Sequence, residues 1–355
     1  MVQYVGIREI TCLLRDIGPE AFLSGLVSYL EEDFRRWNAF EKSARLASHS
    51  PRGVIELMPA SDGTTYGFKY VNGHPANTAA GLLTVTAFGM LADVATGYPV
   101  FLSEMTVATA LRTAAASALA AKYLARSDCR TMALIGLGAQ AEFQALAFKA
   151  VLGVERLRIF DTDPAATAKF RRNLSGVGIA ISEESGVADA VRGADVVTTA
   201  TASKSRETIL TPKMVAPGMH LNAIGGDCPG KTELHPDILR ASRVFVEFLA
   251  QSRIEGEIQQ LGPDAAATEL WRVVAGHELG RRDSADVTVF DSVGFAIEDF
   301  STLRYLRDLA ARTGLCRDLD LVPELTDPKD LFGIIARPPG QVHTHVVTHL
   351  AAEPA

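Results

Sequence analysis

The stretch "TMALIGLGAQAEFQALAFKA" places a glycine-rich turn directly between an apolar run and an amphipathic run. This order of strand, Gly136-x-Gly138-x-x-Ala141 and helix is typical of a dinucleotide-binding βαβ unit. Small residues there permit a tight turn and let backbone N–H groups reach a pyrophosphate at the helix N-terminus. The next apolar run, "RLRIFDTD", ends at Asp161, which can bind a ribose 2′-hydroxyl and repel a 2′-phosphate. The pattern predicts NAD binding; the alternative is a tight turn beside an incidental aspartate.

The rest of the chain predicts an α/β protein with two kinds of structure. Residues 8–37 have helical periodicity, and residues 44–103 contain short alternating runs separated by turn signals, typical of an antiparallel sheet. An Ala-rich segment predicts a long helix at about 105–126. From 131 onward, short apolar strands alternate with helices, as in a parallel sheet covered on both faces. We therefore expect a Rossmann-type, doubly wound domain over 127–300.

Charge and composition exclude several classes of function. The 355 residues carry 35 basic and 42 acidic side chains, a net charge of −7, which does not suit a protein that binds nucleic acid or anionic membranes. The longest apolar run is too short to span a bilayer, and the first residues lack the layout of a signal peptide. The four scattered cysteines favour reduced thiols and a cytoplasmic protein. The tail histidines in "VHTHVVTHL" have no Cys, Asp or Glu at coordinating spacing, so no metal is predicted.

A second glycine-rich stretch, "GGDCPGKTELHP", matches the phosphate-binding pattern of NTP hydrolases letter by letter. That pattern requires a helix starting at its lysine, and Pro236 would fall inside this helix at a cost of about 3 kcal/mol. Pro236 instead predicts the start of a later helix, which leaves residues 225–235 as a loop after a strand. Open α/β sheets bind ligands at such strand ends, so Asp227 could act as a general base and Lys231 could contact the cofactor. The alternative is a solvated turn.

Several blocks together resemble the ornithine cyclodeaminase and mu-crystallin family from about residue 8 to 320. They are "LEEDFRRWNAFEKSAR", "YGFKYVNGHP", "LTVTAFGMLADVATGYP", "LIGLGAQAEFQALAF", "GGDCPGKTE", "RIEGEIQQL" and "FDSVGFAIEDF". The resemblance implies a homodimer with NAD as a tightly held cofactor. It also implies a substrate-binding and dimerisation domain made of residues 1–126 with 301–355. The implied reaction converts L-ornithine to L-proline and ammonia: Cα loses a hydride, the δ-amine attacks the imine, ammonia leaves and the ring is reduced again.

The resemblance also implies residue roles. Arg45, Lys69 and Arg112 match a cationic clamp on the substrate carboxylate, and charge-assisted contacts of this kind orient Cα. Glu56 matches a carboxylate near the substrate's amino end, and Asp227 the catalytic acid/base. From pattern alone, Arg45 could be an exposed edge residue, and Lys69 and Glu56 could face water.

Further matching positions concern the cofactor and the substrate backbone contact. Val293 matches a position whose backbone meets the substrate. The cofactor positions implied are Thr84, Arg112, Gly136, Gly138, Ala139, Gln140, Asp161, Thr201, Asn222, Ala223, Ile224, Gly225, Lys231 and Ser292. One departure is Leu137, where close relatives have Asn; since this position contributes mainly backbone, we expect it to alter packing more than cofactor choice.

Alternative functions remain open at this point. An NAD(P)-dependent amino-acid dehydrogenase, a cyclic ketimine reductase or a lysine cyclodeaminase of the same family would keep the fold and cofactor. A crystallin-like, non-enzymatic nucleotide-binding protein would keep the glycine loop without turnover. The presence of Glu56 and Asp227 favours cyclodeamination, because deamination needs additional proton transfers.

Overall fold

The computed structural model describes residues 1–201 and 206–336. Its strands, in chain order, are β1 Val2–Val5, β2 Glu41–Lys42, β3 Leu46–Ser50, β4 Gly53–Ser61, β5 Thr65–Gly73, β6 Ala87–Asp93, β7 Pro99–Glu104, β8 Thr131–Ile135, β9 Arg156–Phe160, β10 Ala180–Glu183, β11 Val196–Thr199, β12 Arg206–Leu210, β13 His220–Ala223, β14 Thr232–Leu234, β15 Arg243–Val246, β16 Thr268–Glu269, β17 Thr288–Asp291 and β18 Arg317–Leu319. The helices are α1 Ile7–Ile17, α2 Pro19–Arg35, α3 Thr106–Leu124, α4 Ala141–Leu152, α5 Pro164–Asn173, α6 Val187–Val191, α7 Pro236–Ala241, α8 Leu249–Glu255, α9 Leu270–Val274, α10 Ala296–Thr313 and α11 Gly333–Ala336.

The first sheet has the order β18-β1-β7-β6-β5-β4-β2, with β3 also paired to β4. Strands β3 to β7 pair antiparallel, which confirms the prediction for residues 44–103. The side chains alternate: those on one face, such as Met58 and Leu91, are buried, and those on the other are more exposed. Helix α10 covers the buried face, where Phe300 lies close to Gly67 and Leu303 to Gly89.

The helical segment predicted over 8–37 consists of two helices. Gly18 has a φ of +85° between them, and Pro19 opens α2, where its missing N–H costs nothing. The predicted Ala-rich helix is confirmed as α3. It is buried along most of its length because α2, α4 and α10 pack around it.

The second sheet contains eight parallel strands in the order β10-β9-β8-β11-β13-β17-β15-β16. Strands β8, β11, β13 and β17 are buried at every residue, as expected of a sheet covered on both faces. The order reverses between β8 and β11, so the prediction of a doubly wound, Rossmann-type domain is confirmed. The carboxyl ends of these strands form the edge at which such folds bind ligands.

The second glycine-rich stretch is only partly a loop. Pro236 does open α7, as predicted, but the expectation that all of residues 225–235 form a loop is wrong, because Thr232–Leu234 is strand β14 paired with β12. The carboxylate of Glu257 also holds this strand, because it accepts the backbone N–H of Glu233 at 2.6 Å and that of Leu234 at 3.0 Å. Contacts between such distant residues have no local sequence signal.

Three other expectations concern membrane helices, the tail histidines and the cysteines. No helix in the described residues is both long and apolar enough to cross a membrane. The tail histidines His343, His345 and His349 lie outside the described residues. The four cysteines are free thiols.

Candidate active site at the carboxyl ends of the parallel strands

The first glycine loop joins β8 to α4 and has the geometry of a phosphate-binding turn. Gly136 has a φ of +93°, and a Cβ there would lie 2.6 Å from the carbonyl oxygen of Ala200, so only glycine fits. Open space surrounds the α-carbon of Gly138, and the following Ala139 is exposed. Backbone N–H groups at the start of α4 can therefore face a pyrophosphate.

Asp161 lies at the end of β9 beside this loop. Its Oδ2 accepts the backbone N–H of Leu137 at 2.6 Å, and its Oδ1 accepts that of Asp163 at 2.8 Å. Each carboxylate oxygen has a second lone pair, which leaves acceptor capacity for a ribose hydroxyl. The side chain of Leu137 is fully buried in the core between β8, β9 and α4, in keeping with the expected effect on packing.

The other positions proposed for the cofactor line the neighbouring strand ends. Asn222 and Ala223 are the last two residues of β13, and Ile224 and Gly225 follow the strand. The side chain of Asn222 donates to Gln144 and Thr198. Its Oδ1 and the Oε1 of Gln140 are buried and have no hydrogen-bond partner in the part of the chain that the structure describes. Unpartnered buried acceptors of this kind are costly, and a bound ligand with donor groups would satisfy them. The residues present therefore fit a dinucleotide.

Thr201 and Thr84 occupy different surroundings. The backbone N–H of Thr201 donates to Glu233 at 2.8 Å, at the edge of the glycine loops. Thr84 follows a turn between β5 and β6, where its carbonyl accepts from His74 and Asn72. Within the described residues, the hydrogen bonds of Thr84 are thus made to the end of β5 and the loop after it, and not to the nucleotide loop.

Asp227 and Lys231 form the accessible end of the site. Lys231 Nζ lies 3.2 Å from Asp227 Oδ1, and the lysine is buried whereas the Asp227 side chain is 55% exposed. Burial alone would lower the pKa of Lys231, but the nearby Asp227 and Glu233 outweigh burial and raise this pKa, so the ammonium stays charged. The Asp227 side chain thus contacts Lys231 on one side and is open to solvent on the other.

Arg45 lies between β2 and β3 of the first sheet. Its side chain is 9% exposed, which excludes the interpretation as an exposed edge residue. Its Nη1 lies 3.1 Å from Glu56 Oε2, and its Nη2 donates to the carbonyls of Val293 at 2.6 Å and Gly294 at 2.8 Å. Glu56 is also buried, so neither residue of this pair faces water freely.

Lys69 and Arg112 form a second, deeper pair of cations. Lys69 Nζ lies 2.7 Å from Asp299 Oδ1, and Arg112 Nε lies 3.1 Å from the same oxygen. Arg112 Nη1 also lies 2.7 Å from Glu298 Oε2. Burial, with added repulsion from Arg112, lowers the pKa of Lys69 to about 8. The structure thus brings the proposed clamp together, because Arg45 also lies near enough to Lys69 to act on its charge.

The turn after β17 joins the clamp to the parallel sheet. Ser292 Oγ donates to Glu247 Oε1 at 2.6 Å, and the N–H groups of Val293 and Gly294 donate to the same carboxylate. Gly294 has a φ of +76°, and a Cβ there would lie 2.3 Å from Arg112 Nη1. The guanidinium therefore packs directly on the backbone of this turn.

Four acidic residues of the site were missed in the sequence. Glu298 and Asp299 pair with the deep cations, Glu247 holds the turn after β17, and Glu255 lies 3.2 Å from Arg45. Three of them lie in the blocks "RIEGEIQQL" and "FDSVGFAIEDF". A carboxylate within a helical pattern does not indicate which distant cation it will pair with. Burial raises the pKa of Glu298 to about 8 despite its pairing with Arg112.

A parallel sheet with a glycine loop, an acid at the end of the next strand and a buried cluster of charged groups at the strand ends defines a dinucleotide-dependent enzyme of the Rossmann class. Comparison with known proteins places it further. The model of the ornithine cyclodeaminase/mu-crystallin family matches residues 9–314, and the chain belongs to this family.

Three relatives illustrate the match. An ornithine cyclodeaminase of Brucella suis biovar 1 (strain 1330) is 60% identical over 337 residues, covering 95% of this chain and 94% of its own. A lysine cyclodeaminase structure, described as recognising L-lysine, L-ornithine and L-2,4-diaminobutyric acid, has a TM-score of 0.85 at 31% identity, covering 92% of this chain and 98% of its own. An archaeal alanine dehydrogenase dimer with bound NAD has a TM-score of 0.83 at 30% identity, covering 90% and 99%.

Proposed function

We propose that this protein is an NAD-dependent ornithine cyclodeaminase, an ammonia-lyase that converts L-ornithine to L-proline and ammonia. The observation that carries the proposal is the 60% identity to the Brucella ornithine cyclodeaminase over 95% of the chain. The geometry agrees with it, because buried cations and carboxylates converge beside a dinucleotide-binding loop. A diamino acid presents one carboxylate and two ammonium groups to such a mixed site.

The clamp residues bind and orient the substrate. Lys69, Arg112 and Arg45 have donors directed into one region, and a substrate carboxylate entering it would exchange places with the carboxylates that now neutralise them. Because the guanidinium of Arg112 rests on the turn at Gly294, the bound substrate would lie against the carboxyl end of β17. Fixing the substrate in this way supplies the orientation that a hydride transfer needs.

NAD would be held by the glycine loop, with Gly136, Gly138, Ala139 and Gln140 facing the pyrophosphate and Asp161 the ribose. The further positions that we propose for the cofactor are Thr201, residues 222–225, Lys231 and Ser292 beside the parallel strands, with Arg112 of α3 and Thr84 of the loop between β5 and β6. When bound, NAD supplies a hydride acceptor for the first step and a hydride donor for the last, so that no external oxidant is consumed.

Asp227 transfers the protons. The reaction requires proton removal from the α-ammonium and from the δ-ammonium before each nitrogen can react. A carboxylate 3.2 Å from a buried ammonium, and still half exposed, can accept a proton from the substrate and release it to water. Glu56, paired with Arg45, provides a second acidic contact for the amino end, and Val293 offers its backbone.

The test of this function is a product balance. The purified protein, supplied with L-ornithine, L-lysine or L-arginine and catalytic NAD but no added NADH, should form proline and ammonia in equal amounts from ornithine. NADH should not accumulate. Reduction of all the added NAD to NADH, with turnover stopping at the same small amount of product, would instead indicate an amino-acid dehydrogenase, and a failure to convert ornithine would refute the proposal. A matched reaction without protein controls for chemical cyclisation.

We also infer a homodimer formed through the outer face of the first sheet. Leu46, Leu57, Tyr70 and Phe88 lie opposite one another on strands β3 to β6 and form an outer apolar row. Three of them are exposed by 42–63%, and the rings of Tyr70 and Phe88 stack at 5.2 Å. Contiguous exposed apolar patches are typical of protein interfaces. The relative named as a dimer supports the same assembly.

The domain division and the cellular location are proposals of the same kind. Residues 1–126 with 301–355 would form the substrate and dimerisation domain, and residues 127–300 the NAD-binding domain. The pairing of β18 with β1 supports the return of the chain's end to the first sheet. Free cysteines are in keeping with a cytoplasmic protein acting in the formation of proline.

A further inference from the structure

Glu255 is a buried carboxylate at the end of α8 for which neither the clamp nor the cofactor loop accounts. Its side chain is only 10% exposed, and its Oε2 lies 3.2 Å from Arg45 Nε. Neither this oxygen nor Arg45 Nε makes a hydrogen bond within the described residues, because the two groups are close but poorly aligned. A carboxylate whose role was only to anchor Arg45 would be expected to align with it.

The position of Glu255 is fixed by its neighbours. The next residue, Gly256, packs against the carboxylate of Asp291, where a Cβ would come within 2.5 Å of Oδ2. Asp291 also accepts the N–H groups of Glu257 at 2.7 Å and Ile258 at 3.0 Å. The end of α8 is therefore tied to the end of β17, which holds in place the backbone that carries Glu255.

The charge around Glu255 is unbalanced. One guanidinium, that of Arg45, lies between the carboxylates of Glu56 and Glu255. Burial raises the pKa of Glu255 to about 7; Arg45 opposes this rise, while Glu56 and Asp227 add to it. The carboxylates of Glu56, Asp227 and Glu255 thus lie within electrostatic range of one another. Once Arg45 binds a substrate carboxylate, its charge neutralises Glu56 and Glu255 less completely.

We propose that Glu255 is a specificity-determining residue that, together with Glu56, receives the side-chain ammonium of the substrate. The substrate would enter by an exchange of ion pairs: its carboxylate takes Arg45, and its distal ammonium takes the carboxylates that Arg45 gives up. A diamino acid completes this exchange, whereas an amino acid with an apolar side chain leaves Glu255 buried without a counter-charge. Uncompensated buried charge is strongly unfavourable, so the arrangement selects against apolar side chains.

This inference rests on the proposed function and is tested with Glu255→Gln, which keeps the shape and removes the charge. Binding of L-ornithine is compared with that of L-norvaline, which has the same carbon chain without the δ-amine, by calorimetry on the NADH-loaded protein, which cannot accept the hydride of the first step. Ornithine affinity should fall at least tenfold while norvaline affinity stays the same or increases. Glu255→Asp, which retains the charge, should recover part of the preference and provides a second reading if the glutamine variant does not fold.

Glu31→Gln is the matched control, because Glu31 is 11% exposed and paired with an arginine on α2. It should leave both affinities unchanged. An equal loss of ornithine and norvaline affinity in Glu255→Gln would mean that Glu255 only positions Arg45, and would overturn the inference. Failure of the wild-type protein to convert ornithine would refute the proposed function instead, and the two binding constants would still report on Glu255.

Discussion

Arg112 illustrates how a single residue depends on the backbone opposite. Its guanidinium lies against Gly294, whose φ of +76° and lack of Cβ permit the contact. The Ala-rich sequence predicted the helix that carries Arg112. It did not indicate that the partners would be Glu298 and Asp299, which are nearly 190 positions away, since ion pairing over such a separation leaves no local pattern.

Gly294→Ala tests the contact. The change should destabilise the protein by about 1–2 kcal/mol because a side chain is placed at positive φ, and it should raise KM for ornithine at least tenfold because Arg112 is displaced. Gly276→Ala is the control, since Gly276 has a φ of +78° with nothing near its α-carbon. It should show a smaller loss of melting temperature, from the positive φ alone, with an unchanged KM. Equal KM values in both variants would remove the contact from substrate binding.

Asp227→Asn tests the proton-transfer role. The amide keeps the shape of the side chain but cannot accept a proton, so turnover should fall at least about a hundredfold. NADH affinity, measured by the fluorescence of its dihydronicotinamide ring, should change by less than a few fold because the glycine loop proposed to bind the pyrophosphate is untouched. A variant that retained wild-type turnover would exclude Asp227 as the acid/base.

At the scale of elements, periodicity predicted the antiparallel sheet, the long helix α3 and the parallel strands, because each has its pattern within a few consecutive residues. The failures are elements held by distant contacts. Strand β14 is three residues long and exists through its pairing with β12 and the carboxylate of Glu257. Strand β18 pairs with β1, more than 300 residues away in the chain. Neither pairing leaves a trace in local sequence.

The burial of His220 in β13, beside β17, predicts that the stability of the protein depends on pH. His220 is fully buried in β13, where Nδ1 lies 3.0 Å from Thr288 Oγ1 of β17, and burial lowers its pKa from 6.5 to about 3. Between these values the unfolded chain binds a proton that the folded protein does not. Stability should therefore fall as pH decreases from about 6.5 towards 3, by up to ~1.4 kcal/mol per pH unit.

The measurement is the urea midpoint of wild type and of His220→Gln across this range. The variant lacks the titrating group, so its stability should decline less steeply at acidic pH, even if it is less stable near neutrality. The difference between the two curves cancels the contribution of the buried carboxylates. Parallel curves would show that His220 binds its proton equally in the folded and unfolded chains, and would refute a lowered pKa for His220 in the folded protein.

At the scale of the whole molecule, the two faces of the first sheet have different partners. The inner face is covered by α10 and carries Lys69 into the site, whereas the outer apolar row has no cover within the described chain. Because successive residues of a strand point to opposite faces, the strand that positions Lys69 also presents Tyr70 outward. In the proposed function, substrate binding and dimer assembly would use the same strands, and an interface across the outer row would stiffen the sheet that holds the clamp.

Phe88→Asp tests this assembly. Wild type should have twice the chain mass of 38.0 kDa by light scattering, and the variant should have the mass of one chain, because a desolvated carboxylate opposes burial of the row. Folding should be retained, since Phe88 is 43% exposed in the isolated chain. Leu279→Asp, at a 67% exposed position between α9 and β17, is the control and should stay dimeric. A monomeric wild type would exclude the dimer, and a dimeric Phe88→Asp protein would place the interface elsewhere. A monomeric variant with a raised KM for ornithine would show that the interface supports the clamp.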